Sequence, residues 1–319
     1  MIKLEIKYKK DIIHNMEKQK IVIIGNGQIG GAISYLLKES QKIQQKEYLI
    51  EIYDKDNSKN QSGKTLKECL IGSDFIFLCL PSWHLDKILK EISLYSKKET
   101  ILIPLSKGID SLSKKSVDEL IEKNAPKMKY ALLSGPMFAK EIMAGKMSFG
   151  ILASKDKTSF ERVTKIFQGT KLKLEYSKKV HSVAISAVLK NIYTLAVSII
   201  DSSLEDNNTK GFFSAKGIRE MQGIMKILKL DQKIILGTAG LGDFFATVSS
   251  EYSQNRKVGT EISKNGSTSL LSEGLISLPS LIKIIGKKYK KLPMLCMLER
   301  IVVEKKDAKN EIEKFLKEI

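Results

Sequence analysis

The segment "IVIIGNGQIGGAI", Ile21 to Ile33, joins an unbroken apolar run to three glycines at fixed spacing, Gly25, Gly27 and Gly30, with a helical pattern behind them. A short apolar run followed by Gly-x-Gly-x-x-Gly and then a helix reads as strand, tight turn and helix N-terminus. Each glycine has its own physical task. Gly25 takes the turn, Gly27 lets a pyrophosphate approach backbone N–H groups at the helix start, and Gly30 brings helix and strand close together. Gln28 and Ile29 complete the same turn. A second apolar segment, "YLIEIYD", ends in Asp54, at the separation expected for a carboxylate that accepts hydrogen bonds from adenosine ribose hydroxyls. Its charge repels a 2′-phosphate and so favours NAD, while Lys55 and Lys59 nearby keep NADP open.

Behind this turn, short apolar runs alternate with helical stretches as far as Lys178: "DFIFLCLP", "TILIPLSKG", "KYALLSGP" and "FGILAS" are separated by "LDKILKEISLY" and "SVDELIEKNA". Strands that are apolar throughout are covered on both faces, which implies a parallel sheet with helices above and below. After Lys178 the apolar residues recur every three to four positions instead, as in "HSVAISAVLKNIYTLAVSIIDSSL" and "LLSEGLISLPSLIKIIGKKY". The expected fold is therefore α/β, an N-terminal Rossmann-like doubly wound parallel sheet followed by an all-α C-terminal domain. Residues 16–178 form the expected dinucleotide-binding domain and 179–319 the helical domain. A length of 319 residues accommodates both cores. The tail carries Ile312, Phe315, Leu316 and Ile319 on one face and reads as a closing surface helix. Residues 1–15 are lysine-rich, and "MEKQKIVIIG" from Met16 resembles a natural start. The expectation for 1–15 is a poorly ordered extension or an upstream start, with a short extra strand as the competing view.

Composition narrows the function. The formal charge is +18, yet only four of 54 basic residues are arginines and the lysines are scattered, so the excess reads as a solvated surface rather than a nucleic-acid footprint. Three distant cysteines, Cys69, Cys79 and Cys296, form neither a disulfide framework nor a metal spacing. No apolar run is read as approaching the roughly 18 residues of a membrane span. The expectation is a cytoplasmic protein without membrane insertion, nucleic acid or metal. Of the histidines, His14, His84 and His181, none suggests a partnership with aspartate. Lys190 stands out because it lies inside the apolar helix "VAISAVLKNIYTLAVSII", where an unpaired charge costs several kcal/mol. Such a lysine needs a partner or a function.

The blocks "IVIIGNGQIGGA", "CLPSWHL", "PLSKGID", "SGPMFAKEIMAGKMSFGILAS", "AVLKNIYTLAVSIIDSS", "KGIREM", "TAGLGDFFATVSS", "SQNRKVG" and "SEGL" occur in this order between Met16 and about Val303. In them the chain resembles the bacterial-type NAD(P)-dependent glycerol-3-phosphate dehydrogenases. The resemblance implies reversible hydride transfer between a nicotinamide and the carbonyl of dihydroxyacetone phosphate, a small phosphorylated substrate, for glycerophospholipid synthesis. It makes Lys190 the proton donor to the carbonyl oxygen and Lys107 a second active-site lysine touching substrate and cofactor. Asp243 and Thr247 orient Lys190 and the substrate, and Asn191 and Asn255 contact the substrate together with Gly135, Ser253 and Arg256. On the cofactor side it implies Pro81, Trp83, Ala139, Gln254 and Glu273, with core packing as the other reading of Trp83. A homodimer is left open.

The chain departs from the family pattern at three places. Met137 replaces a Ser or Thr, Gln254 replaces the first arginine of Ser-Arg-Asn-Arg, and Gln28-Ile29 lacks an aromatic residue. A neutral amide does not reproduce a charge-assisted phosphate contact. A diverged paralogue reducing another small anionic carbonyl or hydroxy acid, and a catalytically weak dinucleotide-binding sensor, therefore stand as alternatives.

Overall fold

A computed structural model describes residues 18–318. The expected extension at 1–15 lies outside the described residues, as does Ile319 of the tail pattern. Strands β1 (Lys20–Ile24), β2 (Leu49–Tyr53), β3 (Phe75–Leu78), β4 (Ile101–Pro104) and β5 (Lys129–Tyr130) form a parallel sheet in the order β2-β1-β3-β4-β5. Helices α1 (Gln28–Gln44), α2 (Leu66–Leu70), α3 (Leu85–Tyr95) and α4 (Val117–Asn124) make the crossovers. The pleat explains why the strands are apolar throughout. Ile21, Ile23, Phe75, Phe77, Ile101 and Ile103 pack with α1 residues Ile33 and Leu37 on one face. Val22, Ile24, Ile76, Leu78 and Leu102 pack with Leu70, Leu89 and Leu120 on the other. The strand order reverses between β1 and β3, and a doubly wound sheet binds ligands at such a point, beyond the carboxyl ends of its strands.

The doubly wound sheet followed by helices is the architecture expected from the sequence. Its last strands are arranged differently. β5 pairs with β4 over only two residues, and the chain then starts a second sheet of β6 (Leu132–Ser134), β7 (Ser148–Ala153) and β8 (Leu172–Ser177). Here β6 and β7 are antiparallel and β7 and β8 parallel, with α5 (Ala139–Met143) and α6 (Lys157–Ile166) as connections. β8 alternates apolar and polar residues and has mostly exposed or half-exposed positions, unlike the strands that are apolar throughout, and it is not among the segments read as strands from the sequence.

The helical part comprises α7 (Val180–Leu204), α8 (Asn207–Ile227), α9 (Asp243–Ser249), α10 (Gln254–Asn265), α11 (Glu273–Ile285), α12 (Pro293–Val302) and α13 (Ala308–Lys317). α7 is its axis: Val180 and every residue from Ser182 to Ile200 are buried. Val180, Val183 and Ala184 join the apolar layer under the sheet, whereas Ile185 and the residues after it centre the helical core. One helix thus threads both cores. By length and composition α7 is long and apolar enough to cross a membrane, and this corrects the expectation that no run comes near that length. Its apolar stretch is wholly buried within the protein. In the tail helix Ile312 and Phe315 are buried in the same core.

His181, in the first turn of α7, places Nδ1 2.8 Å from Asp118 Oδ2 on α4, a His–Asp pair that the sequence reading did not anticipate across 63 residues. The Asp118 bond favours the protonated imidazole and, against some burial, raises the His181 pKa. Deeper in the helical core, Glu220 accepts hydrogen bonds from Tyr193 Oη–H (2.8 Å) and from the N–H groups of Met294 (2.7 Å) and Leu295 (3.0 Å), so it caps α12 from α8. Glu220→Ala strands three buried donors. Urea denaturation is expected to show a loss of about 3 kcal/mol, and a loss below about 1 kcal/mol would show that water satisfies those donors instead.

Candidate active site between the two sheets and the helical core

The glycine turn sits at the β1 end of the switch point. Gly25 has φ +98°, and a Cβ there would lie 2.6 Å from the carbonyl oxygen of Cys79 at the end of β3. A Cβ on Gly30 would lie 1.9 Å from Gly25 O, so strand and helix approach too closely for any side chain. Gly27 differs: a Cβ on it meets nothing within 4 Å, and no side chain caps α1 at this residue. An uncapped N-terminus of a 17-residue helix, facing open space across a glycine, fits a pyrophosphate. Asp54 Oδ2 accepts the Asn26 N–H (2.7 Å) and Oδ1 the Asp56 N–H (3.0 Å), so the carboxylate braces the turn and still has acceptor capacity left. Lys55 is exposed, and Lys59 pairs with Asp56 at 2.9 Å. Gln28, Ile29 and Ala139 line a cavity of about 250 Å³ with Lys107, Gly135 and Met137.

A second cavity, of about 190 Å³, adjoins it and shares Lys107, Gly135 and Met137. Lys190, Asp243, Thr247, Ser253, Gln254 and Asn255 also line it. Asp243 is 3% exposed and lies between two ammonium groups: Lys107 Nζ is 2.6 Å from Oδ2 and Lys190 Nζ 3.2 Å from Oδ1. Lys190 Nζ also donates to Thr247 Oγ1 (3.1 Å), one turn further along α9. Lys107 Nζ donates to Gly135 O (3.1 Å), where φ is +129° and a Cβ would strike Gly150 Cα at 2.9 Å. Burial pulls the Lys190 ammonium down to about 8, with Lys107 adding to the effect and Asp243 opposing it. Burial acts to raise the Asp243 carboxyl, but Lys107 and Lys190 outweigh it and hold the group below its ordinary value.

Each of these groups needs a separate backbone device. Lys107 lies on the loop after β4, and Lys190 comes from the middle of α7. Asp243 starts α9 directly after a π-helical turn, Thr238–Gly242, in which Gly240 packs against the Ile235 backbone at a distance no side chain allows. Asn191 Nδ2 donates to Lys107 O (3.1 Å), Asn255 Nδ2 donates to Asn191 Oδ1 (2.9 Å), and Asn255 Oδ1 accepts the Gly274 N–H (3.0 Å). This chain of amides ties the Lys107 loop to α7, α10 and α11.

Two residues of the expected substrate set fall outside the second cavity. Asn191 stands behind it as the middle link of that chain. Arg256 is half-buried, does not line the cavity, and its guanidinium forms no hydrogen bond or ion pair among the described residues. Ser253 Oγ accepts the Arg256 N–H (3.2 Å) and caps α10, leaving the neutral Gln254 exposed at the cavity wall. Glu273, which lines neither cavity, accepts from Ser82 N–H (2.8 Å) and Ser82 Oγ–H (2.6 Å), directly over Gly108. Burial raises the Glu273 carboxyl pKa against those two bonds. The resemblance takes in the segment Pro81 to Trp83, but the pairing of Ser82 with Glu273, 191 residues away, leaves no local signal. Trp83 is half-buried beside His84, their ring centroids 6.0 Å apart.

Two family models match the chain: the NAD-dependent glycerol-3-phosphate dehydrogenase N-terminus over residues 20–160 and the C-terminus of the same family over residues 179–313. Glycerol-3-phosphate dehydrogenase (NAD(P)+) of Clostridium tetani is 26% identical over 320 residues, covering 92% of this chain and 91% of the relative. The crystal structure of glycerol-3-phosphate dehydrogenase from Coxiella burnetii superposes with a TM-score of 0.83 at 20% identity, covering 94% of this chain and 99% of that one. That of Plasmodium falciparum gives 0.80 at 21% identity, covering 94% and 95%. At these identities the solved structures speak for the fold.

The open space at Gly27 has a direct test. Gly27→Ala is expected to keep the fold, with a stability change of about 1 kcal/mol or less, because φ there is ordinary and the Cβ meets nothing. NADH affinity, measured by fluorescence titration, is expected to fall about tenfold or more. An unchanged affinity would place the pyrophosphate elsewhere.

Proposed function

The chain belongs to the NAD-dependent glycerol-3-phosphate dehydrogenase family, and from that premise we propose that its lysine–aspartate cluster performs the reversible reduction of dihydroxyacetone phosphate to glycerol 3-phosphate. The observation that carries the reading is Lys190: a buried ammonium with its pKa drawn down to about 8, at a cavity that adjoins the dinucleotide cradle. When bound, the reduced nicotinamide supplies a hydride to the carbonyl carbon. Gly25, Gly27, Gln28, Ile29, Gly30 and Asp54 hold the adenine-side half of the dinucleotide in this reading, and Pro81, Trp83, Ala139 and Glu273 lie along the remainder.

Lys190 then gives its Nζ proton to the oxygen that gains negative charge, and takes it back in the reverse direction. A general acid works best with a pKa near the operating pH, which an ordinary lysine near 10.4 does not offer. Lys107, held by Asp243 and Gly135 O, is a fixed positive charge beside the same oxygen and needs no reorganisation as charge develops. Asp243 and Thr247 fix the direction of Lys190 Nζ. Asn255 and the start of α10 face the rest of the substrate. Residues 16–178 act as the dinucleotide unit and 179–319 as the substrate unit, working in the cytoplasm to supply the glycerol phosphate of phospholipids.

Lys190→Ala is expected to lower kcat for dihydroxyacetone phosphate reduction by about a thousandfold, with NADH binding retained. Unchanged turnover would remove Lys190 from the chemistry. The pH dependence has opposite signs in the two directions. Reduction needs the protonated amine, so its kcat/KM is expected to fall as pH rises through about 8, whereas glycerol 3-phosphate oxidation needs the neutral amine and rises through the same pH. Profiles of the same sign in both directions would assign the proton to another group.

A further inference from the structure

The second cavity is short of positive charge for a phosphorylated substrate. Its lining contains two ammonium groups, Lys107 and Lys190, and one carboxylate, Asp243, which already pairs with both. A phosphate monoester carries close to two negative charges at neutral pH. The N-terminus of α10 behind Gln254 and Asn255 adds about half a positive charge, and Gln254 itself adds none. Arg256 and Lys257 do not line the cavity.

Lys140 is placed to make up the difference. It lies on α5, directly after Ala139 of the cofactor-side cavity, and its Nζ sits 4.3 Å from the ring centroid of Tyr252, which lines the substrate-side cavity. It is exposed and forms no ion pair or side-chain hydrogen bond among the described residues. A ring face orients an ammonium without neutralising it, and at an exposed site it holds the charge weakly enough to yield it to an anion. A carboxylate in the same place would cancel the charge.

We infer that Lys140 is a specificity-determining residue that pairs with the phosphate of the substrate, moving from the Tyr252 ring to the phosphate oxygens as the cavity fills. The inference rests on the function proposed above. It assigns to the cofactor-side half of the protein a contact with the substrate's far end, opposite Ser253, Gln254 and Asn255. It also explains how an exposed amide at 254 is compatible with a phosphorylated substrate.

The test compares dihydroxyacetone phosphate with dihydroxyacetone, at saturating NADH, in the wild-type protein, Lys140→Gln and Lys140→Arg. Lys140→Gln is expected to lose about tenfold in kcat/KM for the phosphorylated ketone, mostly through KM, and several-fold less for the unphosphorylated one. Lys140→Arg, which keeps the charge, is expected to stay within about threefold of wild type. Equal losses on both ketones would make Lys140 a clasp between α5 and the loop before α10 and would overturn the inference. So would a loss below about threefold on the phosphorylated ketone. If the wild-type protein reduced dihydroxyacetone phosphate with neither NADH nor NADPH, the functional reading itself would fall. Wild-type turnover with an unaffected Lys140→Gln would remove the inference alone.

Discussion

A carboxylate with almost no access to water stays ionised only beside compensating cations, and Asp243 has two. The cleft depends on that arrangement. Lys107 arrives from the sheet that forms the dinucleotide cradle, Lys190 from the long buried helix, and Asp243 from a short helix set by a π-helical turn. In the proposed function the same three groups supply the acid–base chemistry. Burial lowers the Lys190 pKa, the Lys107 charge lowers it further, and Asp243 limits the fall while fixing the geometry. A lysine left with Asp243 alone would be pulled back upward, and one left with Lys107 alone would lose its orientation.

Around this centre the polar contacts are arranged as links between elements far apart in sequence. The Asn191–Asn255–Gly274 chain and the Ser82–Glu273 pair both reach the first turn of α11, and both cross from the sheet side to the helical side. Glycines stand where these links approach most closely. A Cβ on Gly108 would lie 2.1 Å from a Glu273 oxygen, and one on Gly274 2.5 Å from the Asn191 carbonyl oxygen. The two cavities share Lys107, Gly135 and Met137, and these close approaches lie beside them.

Much of this was legible along the chain. Alternating fully apolar strands implied a sheet covered on both faces, and the pleat divides their residues between two apolar layers as that pattern requires. Lys190 was conspicuous because charge within an apolar helix demands compensation, and the compensation is present. Other features left no local trace. The second sheet depends on β5 ending after two residues and on β8, an edge strand that alternates apolar and polar residues instead of being apolar throughout. The His181–Asp118 and Lys140–Tyr252 contacts join residues whose separation in sequence is set by nothing local. Helix α7 misleads in the opposite direction, because a core axis and a membrane span have the same composition and differ only in what surrounds them.

The sequence by itself determined the strand–glycine–helix turn, the change from alternating to helical periodicity, and the presence of one lysine that could not remain unpaired. These are properties of short windows, where side-chain spacing and backbone permissiveness act directly. Tertiary structure alone decided that Lys107 and Lys190 share one carboxylate, that Gln254 lines the cavity while Arg256 does not, and that Lys140 rests on the Tyr252 ring. Pairing energies fall off within a few ångströms, and only the packing of the two halves brings such distant segments that close.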